Sequence, residues 1–327
     1  MTMATETRIA RWKLVLGYGA FSLVAFLLCL LITFPYDTLR QRAVGAAADA
    51  GYALRIGSLR PGLRGLTASR VQLSKPTAMT PELRGALSGN PTLLPGADEL
   101  GEPLSIDSVA VRPSLLPLGV AFHANLLGGS LSGSVGGLKD MQVDMQLSNL
   151  DPAQGNVQGF SGMDLVGKLN GTVQLTLPKT RGQPDLSLAN GQLNLDTRGF
   201  IIQGGKVSVP MYGQPMAMDL PRITLGDLDA RIKVDKGLGT VETLQSKSED
   251  LEILGSGTVK LGQRLDVSQP DLDIKLRAEP EFVKRLGIIG AGLTVLPTDK
   301  ADPKFRVAHL SGFFNRPTFG PPRAQSR

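Results

Sequence analysis

Alternation of apolar and polar residues is the strongest pattern in the chain, and it begins after Leu104. Segments 141–147 and 165–177 each alternate aliphatic with polar side chains. Successive side chains of a β-strand point to opposite faces of a sheet, so this pattern predicts strands with one apolar and one polar face. Shorter runs of the same kind occupy 186–188, 193–195, 201–202, 223–225, 232–234, 251–253, 259–261 and 272–276. The predicted fold class is mainly β, a repetitive antiparallel sheet that is either curled or sandwich-like, with few short helices.

A glycine-led pentapeptide recurs within these runs, at 171–175, 191–195 and 257–261. We expect each glycine to turn the chain before a strand begins. A single helix is predicted at 280–286, with Pro280 in its first turn.

The pattern does not decide what covers the apolar face. If the sheet closes or stacks, the apolar face is an ordinary core. If the sheet forms an open trough, the face could shelter acyl chains, each buried CH₂ contributing about 0.8 kcal/mol.

A membrane span is predicted at 14–34, a segment without charged residues. Its 21 residues reach about 31 Å as a helix, which matches the hydrocarbon core of a bilayer. The apolar run is longer than that of a cleaved signal peptide, and no small-residue cleavage site follows it directly. Arg8, Arg11 and Lys13 precede the span, so the tail at 1–13 should stay in the cytoplasm and the bulk of the chain should lie in the periplasm.

The stretch 35–75 carries most of the excess charge, seven basic against two acidic residues, or +5 of the net +6. A helix is predicted at 38–50, capped by Asp37 and stopped by Gly51. Two strands are predicted at 52–56 and 66–73, with a turn at 60–62. The basic residues could contact anionic headgroups or simply form a solvated face. The candidate membrane-surface contacts are Arg40, Arg42, Arg55, Arg60, Arg64 and Arg70.

The predicted division of the chain is a cytoplasmic tail (1–13), a transmembrane helix (14–34), a juxtamembrane helix with the first strands (35–75), a Pro/Gly-rich loop (76–103) and a β-rich periplasmic body (104–327).

Candidate chemistry is scarce. One Cys and two His cannot form a disulfide within the chain or an ordinary zinc site, so no catalytic, metal or cofactor-binding residue is predicted. Segment 162–168 matches a phosphate-binding loop, but the next residue is Leu169 where Ser or Thr is needed. His123, His309 and the acidic pair Asp271/Asp273 are expected to be ordinary strand residues. An extracytoplasmic body also argues against nucleic acid as a partner.

Several segments nevertheless resemble a known family. The start FPYD at 34–37, the stretch GYALRI at 51–56, the strand at 66–73, the Gly-Thr-Val-x-Leu repeats and LSGFFNRP at 310–317 are similar to type II secretion system protein N of Gram-negative bacteria. The same elements also look like the AsmA-like group of inner-membrane-anchored β proteins.

The first resemblance implies a non-enzymatic accessory of the secretion machine, anchored in the inner membrane as a periplasmic scaffold for other secretion-system proteins. The second implies a protein of lipid transport or outer-membrane biogenesis that carries phospholipid on an apolar β groove. A periplasmic enzyme is the least supported class, because no nucleophile, base and oxyanion donor can be assembled.

Overall fold

The computed structural model describes residues 36–62, 65–76, 83, 100–115, 117–180, 182–211, 214–314 and 316–320, with a few isolated residues between 18 and 29. This part is mainly β. The strands are β1 (Ala53–Gly62), β2 (Gly65–Ser74), β3 (Leu104–Leu115), β4 (Leu118–Leu126), β5 (Gly129–Gly136), β6 (Met141–Leu150), β7 (Met163–Leu177), β8 (Lys179–Thr180), β9 (Gln183–Pro184), β10 (Asn190–Met211), β11 (Gln214–Leu220), β12 (Ile223–Asp235), β13 (Leu238–Lys247), β14 (Leu251–Lys260), β15 (Gln269–Ala278), β16 (Arg306–Phe313) and β17 (Arg316–Gly320).

One antiparallel sheet contains every described strand except the small β8–β9 hairpin. Its strands follow one another in chain order from β1 to β17, and β11 pairs only with β10. Each connection joins neighbouring antiparallel strands, which is the simplest path for an alternating sequence punctuated by turns. The sheet is open, because β1 and β17 are not paired with each other.

The longer alternating runs are strands, as predicted: 141–147 lies in β6 and 165–177 lies in β7. The strand prediction for 186–188 is wrong, since Leu186–Leu188 form one turn of 3₁₀-helix after Asp185, whose side chain caps the turn. Leu186 packs instead against the buried cluster of Leu177, Ala189 and Val234.

The role predicted for the repeated glycines is also wrong. Gly171, Gly191 and Gly257 lie inside β7, β10 and β14, not in turns before them. Gly191 and Gly257 have φ angles of +147° and +134°, and a Cβ there would lie 1.9 Å and 2.2 Å from carbonyl oxygens of the neighbouring strands. These two glycines permit close strand approach with a positive φ, which a side chain would prevent.

The register shifts in the middle of the sheet. β10 has irregular pairing with both β7 and β12 around Thr197–Ile201, where Gly167, Gly199 and Gly226 all have positive φ. Such bulges bend a strand and increase its local twist.

The helices are short: α1 (Tyr36–Asp49), α2 (Val157–Ser161), α3 (Pro280–Arg285) and α4 (Ile288–Val295). α1 confirms the predicted juxtamembrane helix, and Gly51 with φ +86° follows it as the stop residue. Asp37 lies in the first turn of α1 and does not precede it as a cap. α4 was not predicted, because its apolar run lacks the polar face that gives a helical period.

α1 packs on the start of the sheet. Val44 and Ala48 of α1 are buried with Ala53 of β1, together with Leu83 and Leu100. The last two belong to the stretch predicted as a loop, and both are helical where the structure describes them.

The turn predicted at 60–62 is incorrect, because β1 continues through it. Arg60, Pro61 and Gly62 pair with Thr67, Leu66 and Gly65 of β2. Pro61 is tolerated because β1 is an edge strand, where a missing N–H leaves no ladder bond unmade.

Most of the predicted span at 14–34 lies outside the described residues. Among the residues that are described, no helix is both long enough and apolar enough to cross a membrane.

Candidate functional site

The two faces of the sheet differ sharply in chemistry. Cross-strand pairs such as Val143↔Leu175, Leu193↔Val173 and Leu193↔Ile232 place aliphatic side chains in one continuous surface. We call this surface the apolar face. Its members along the sheet are Leu54, Ile56, Leu66, Val71, Val109, Val111, Val120, Phe122, Val135, Met141, Val143, Met145, Val173, Leu175, Leu193, Leu195, Ile232, Ile253, Leu272, Ile274 and Leu276.

The apolar face has no second sheet packed on it among the described residues, because all strands longer than two residues belong to the one sheet. Most of its side chains are half-buried by their neighbours, and only local clusters are fully buried. Towards one end of the strands, Val111 and Val120 are 38% and 45% exposed. The face is therefore partly open, whereas a closed core would bury residues of this kind almost completely.

The opposite surface is the polar face. Three adjoining hollows of about 890, 940 and 700 Å³ lie over it between β3 and β14. Some of their side chains bond across strands: Gln192 Nε2 donates to Gln174 Oε1 at 2.7 Å, and Asn194 Nδ2 donates to Thr172 Oγ1 at 3.2 Å. Arg231 forms an ion pair with Asp229. Polar cross-strand pairs of this kind are typical of a solvated sheet surface.

The candidate arginines are not gathered into one site. Arg40 and Arg42 lie on α1, while Arg55 and Arg60 lie on the polar face of β1 opposite Gln72 and Thr67. About five residues of strand, or roughly 16 Å, separate the last two.

The remaining two candidates differ from each other. Arg70 lies on β2 with φ +54°, beside Gly57 of β1. Arg64 falls outside the described residues.

His309 joins two residues that the sequence did not connect with it. Its Nδ1 lies 3.0 Å from Oδ1 of Asp273, and its Nε2 lies 3.0 Å from Oδ1 of Asp271. The pairing of β15 with β16 places Asp273 opposite His309. The ring is largely buried between two exposed carboxylates. The arrangement places one imidazole between two carboxylates on the polar face, and only the strand register could have predicted it.

Three carboxylates of the described chain have lowered pKa values. For Asp185 the main cause is the hydrogen bond that the Ser187 side chain donates. Burial works to raise the pKa of Asp250, but the Thr224 amide and the Arg285 guanidinium outweigh it and hold the pKa below its usual range. The hydrogen bond from Lys275 Nζ, 2.7 Å long, lowers the pKa of Asp299. Asp250 and Asp299 each hold a connecting segment to a strand, and neither residue lines the hollows over the polar face.

The described residues contain no group of three or more His, Cys, Asp or Glu side chains arranged to hold a metal ion. The segment resembling a phosphate loop runs from the end of α2 into β7, with Gly162 as the C-cap of that helix. A phosphate loop needs the reverse order, a strand followed by the N-terminus of a helix.

The chain matches no protein-family model, no curated protein and no solved structure. Within the described residues, the fold and its surfaces define an antiparallel β protein with one main sheet and a partly open apolar face.

Proposed function

We propose that this protein is a non-enzymatic, membrane-anchored β protein that handles lipid by sheltering acyl chains on the apolar face. The observation that carries the proposal is the continuity of that face across the sheet, with no second sheet over it in the part of the chain that the structure describes. An acyl chain laid on such a surface leaves water, and each CH₂ buried contributes about 0.8 kcal/mol. Aliphatic side chains are suited to this role because they offer contact without a polar group to satisfy.

The anchor in this proposal is the apolar segment at 14–34, with the N-terminus in the cytoplasm, the span in the inner membrane and the sheet in the periplasm. α1 begins at Tyr36, two residues after that segment. α1 packs directly on β1, so an anchored chain would hold the first strand of the sheet near the bilayer surface. Phospholipid from that bilayer is the expected ligand.

The test is photo-crosslinking in the full chain within cells. A benzophenone amino acid replaces Val143, Val173 or Leu193 on the apolar face. The matched control positions are the adjacent residues Gln142, Gln174 and Gln192, which lie on the polar face of the same strands.

Irradiation is expected to give phospholipid adducts, detected by mass spectrometry, at the apolar positions only. Each control lies one residue away, so access and expression are matched while the face differs. Equal lipid adducts from both faces, or adducts only to protein from the apolar face, would contradict the proposal.

A second candidate function, an accessory of a type II secretion system, is supported by the sequence resemblance at 34–37, 51–56 and 310–317. The described parts of these segments contribute to α1, β1 and β16–β17, at the two ends of the sheet. In this proposal the protein is a periplasmic scaffold and its partners are other secretion-system proteins.

Deletion of the gene tests the secretion function. If the secretion function holds, folded enzymes that are normally exported accumulate in the periplasm on deletion, and complementation restores their export. Normal export together with a leaky outer membrane would contradict the secretion function and favour lipid handling.

A further inference from the structure

Two neighbouring hairpin turns end in exposed aliphatic side chains. Leu115 and Leu118, which flank the β3–β4 turn, are 81% and 56% exposed, and Leu138 in the β5–β6 turn is 82% exposed. Hairpin turns are normally built from Gly, Asn, Asp, Pro and Ser. We call the set Val111, Leu115, Leu118, Val120 and Leu138 the leucine rim.

The turns that carry the leucine rim are held together by hydrogen bonds. The Gly137 N–H donates to the Leu118 carbonyl oxygen at 3.0 Å. Lys179, which follows β7, donates from Nζ to the carbonyl oxygens of Gly137 and Leu138 at 3.1 Å each. These hydrogen bonds fix the positions of the turns that carry the exposed leucines.

The leucine rim is continuous with the apolar face. Val111 pairs with Phe122, and Val120 pairs with Val135. Val135 in turn lies opposite Val143 of β6. The rim is thus the place where the apolar face reaches solvent at the strand ends opposite α1.

The charges near the rim favour an anionic surface. The charged residues of the β5–β6 turn are Lys139 and Asp140, and Lys179 is hydrogen-bonded to that turn, which makes two basic residues against one acidic. Lys139 and Lys179 are both exposed. Long basic side chains can hold their charge at the headgroup level while leucines beside them enter the acyl region.

Protein interfaces have a different composition. Their centres are enriched in Tyr, Trp and Arg and depleted in Lys, and Leu and Val rarely dominate binding. The rim has only Leu and Val at its tips, with two lysines beside them. We propose that the leucine rim inserts into a phospholipid monolayer that contains anionic headgroups. This adds to the proposed function a second membrane contact, at the strand ends opposite the anchored helix.

The test uses the full chain in nanodiscs of uncharged phosphatidylcholine. Cys29 is replaced by Ser, and one new cysteine at Leu138→Cys carries an environment-sensitive NBD fluorophore. The matched control is Val295→Cys on α4, because Val295 is equally exposed at 84% but lies near the opposite strand ends. Vesicles of phosphatidylglycerol and phosphatidylethanolamine are then added.

We expect a blue shift and a rise in emission at position 138 but not at position 295. The double variant Leu115→Ser/Leu118→Ser should weaken the vesicle affinity reported at position 138 by about a hundredfold, from the loss of two buried leucine side chains. Circular dichroism of this variant checks that the sheet is intact.

No response to vesicles at position 138, or an equal response at both positions, would overturn the proposal. A blue shift that depends on protein concentration without vesicles would assign the rim to a second copy of the chain and overturn it as well. Lipid adducts at Val173 with no response at position 138 would contradict the rim alone. A response at position 138 with no lipid adducts at Val173 would contradict lipid binding by the apolar face alone.

Discussion

At the scale of single residues, glycines decide how closely the central strands approach. Gly191 combines φ +147° with a backbone that would place a Cβ 1.9 Å from the Gln174 carbonyl oxygen. A turn and a close strand approach both favour glycine, so the repeated pentapeptide located the strands correctly but could not reveal what their glycines do.

Replacing Gly191 with Ala should destabilise the sheet by about 2 kcal/mol or more, from the positive φ and the collision with β7. Urea denaturation of the full chain in detergent, followed by circular dichroism, measures the change. Gly292→Ala in α4 is the matched control, because open space surrounds Gly292 and alanine favours a helix. If Gly191→Ala changes the free energy of unfolding as little as Gly292→Ala does, β7 and β10 can separate without cost and the prediction is contradicted.

The His309 cluster shows why residue chemistry depends on register. Asp271 and Asp273 were visible in the sequence as a pair on one strand face, as alternation predicts. Their histidine is 36 residues from Asp273. Only the pairing of β15 with β16 brings it between them.

At the scale of elements, Asp250 links three segments of the chain. Its Oδ2 accepts a hydrogen bond from the Thr224 amide of β12 at 3.1 Å, and its other oxygen pairs with Arg285 of α3. Its carbonyl oxygen accepts from the Glu279 amide just before α3. The carboxylate thus fixes α3 to the sheet.

Asp250→Ala should lower the free energy of unfolding by about 1–3 kcal/mol at pH 7, because the Thr224 amide and Arg285 both lose their partner. The folded-state pKa of Asp250 is lowered, so its contribution is complete above the unfolded pKa near 3.9 and declines as the pH falls through the folded pKa. Denaturation of the wild-type protein and of Asp250→Ala between pH 7 and pH 3 measures whether their free energies of unfolding approach each other as the pH falls.

Asp266→Ala is the control for this prediction, since the Arg264–Asp266 pair is more exposed. It should change the stability by less than about 1 kcal/mol. A wild-type advantage over Asp250→Ala that stays constant down to pH 3 would contradict the assigned role of the carboxylate.

The predictability of elements followed their period. The strands at 141–147 and 165–177 were predicted correctly because the alternation of apolar and polar residues is visible within each segment. Helix α4 was not predicted because the segment at 286–298 has no charged residue, so no residue type marks the side of the helix that faces solvent. The 3₁₀ turn at Leu186–Leu188 has the spacing of a strand fragment, and its packing on the buried cluster decides its form.

At the scale of the whole molecule, the basic residues near the predicted anchor are spread out. Arg40 and Arg42 lie on α1, whereas Arg55 and Arg60 lie roughly 16 Å apart along β1, so we expect only one or two of the strand arginines to touch a flat bilayer together. Each arginine near an anionic surface contributes about 1 kcal/mol, or roughly fivefold in affinity.

Replacing Arg55, Arg60, Arg64 and Arg70 with Ser should therefore weaken binding to anionic vesicles by about 5- to 30-fold at low salt, which is less than four independent contacts would give. Cosedimentation of a chain that begins at residue 36 measures the binding, and added salt should reduce the difference. Arg231→Ser/Lys233→Ser, on the polar face of β12, is the control. Unchanged binding in the four-residue variant would exclude these arginines as lipid contacts.

By itself, the sequence determined that the body is an antiparallel β-sheet with one apolar and one polar face, because alternation acts between nearest neighbours along the chain. It also determined the excess charge of the segment 35–75. Only the tertiary structure decided that the sheet is open, that its apolar face has no second sheet over it in the described chain, and that leucines crowd one set of turns. These properties depend on which strands lie beside one another and what covers them, and such contacts join residues far apart in sequence.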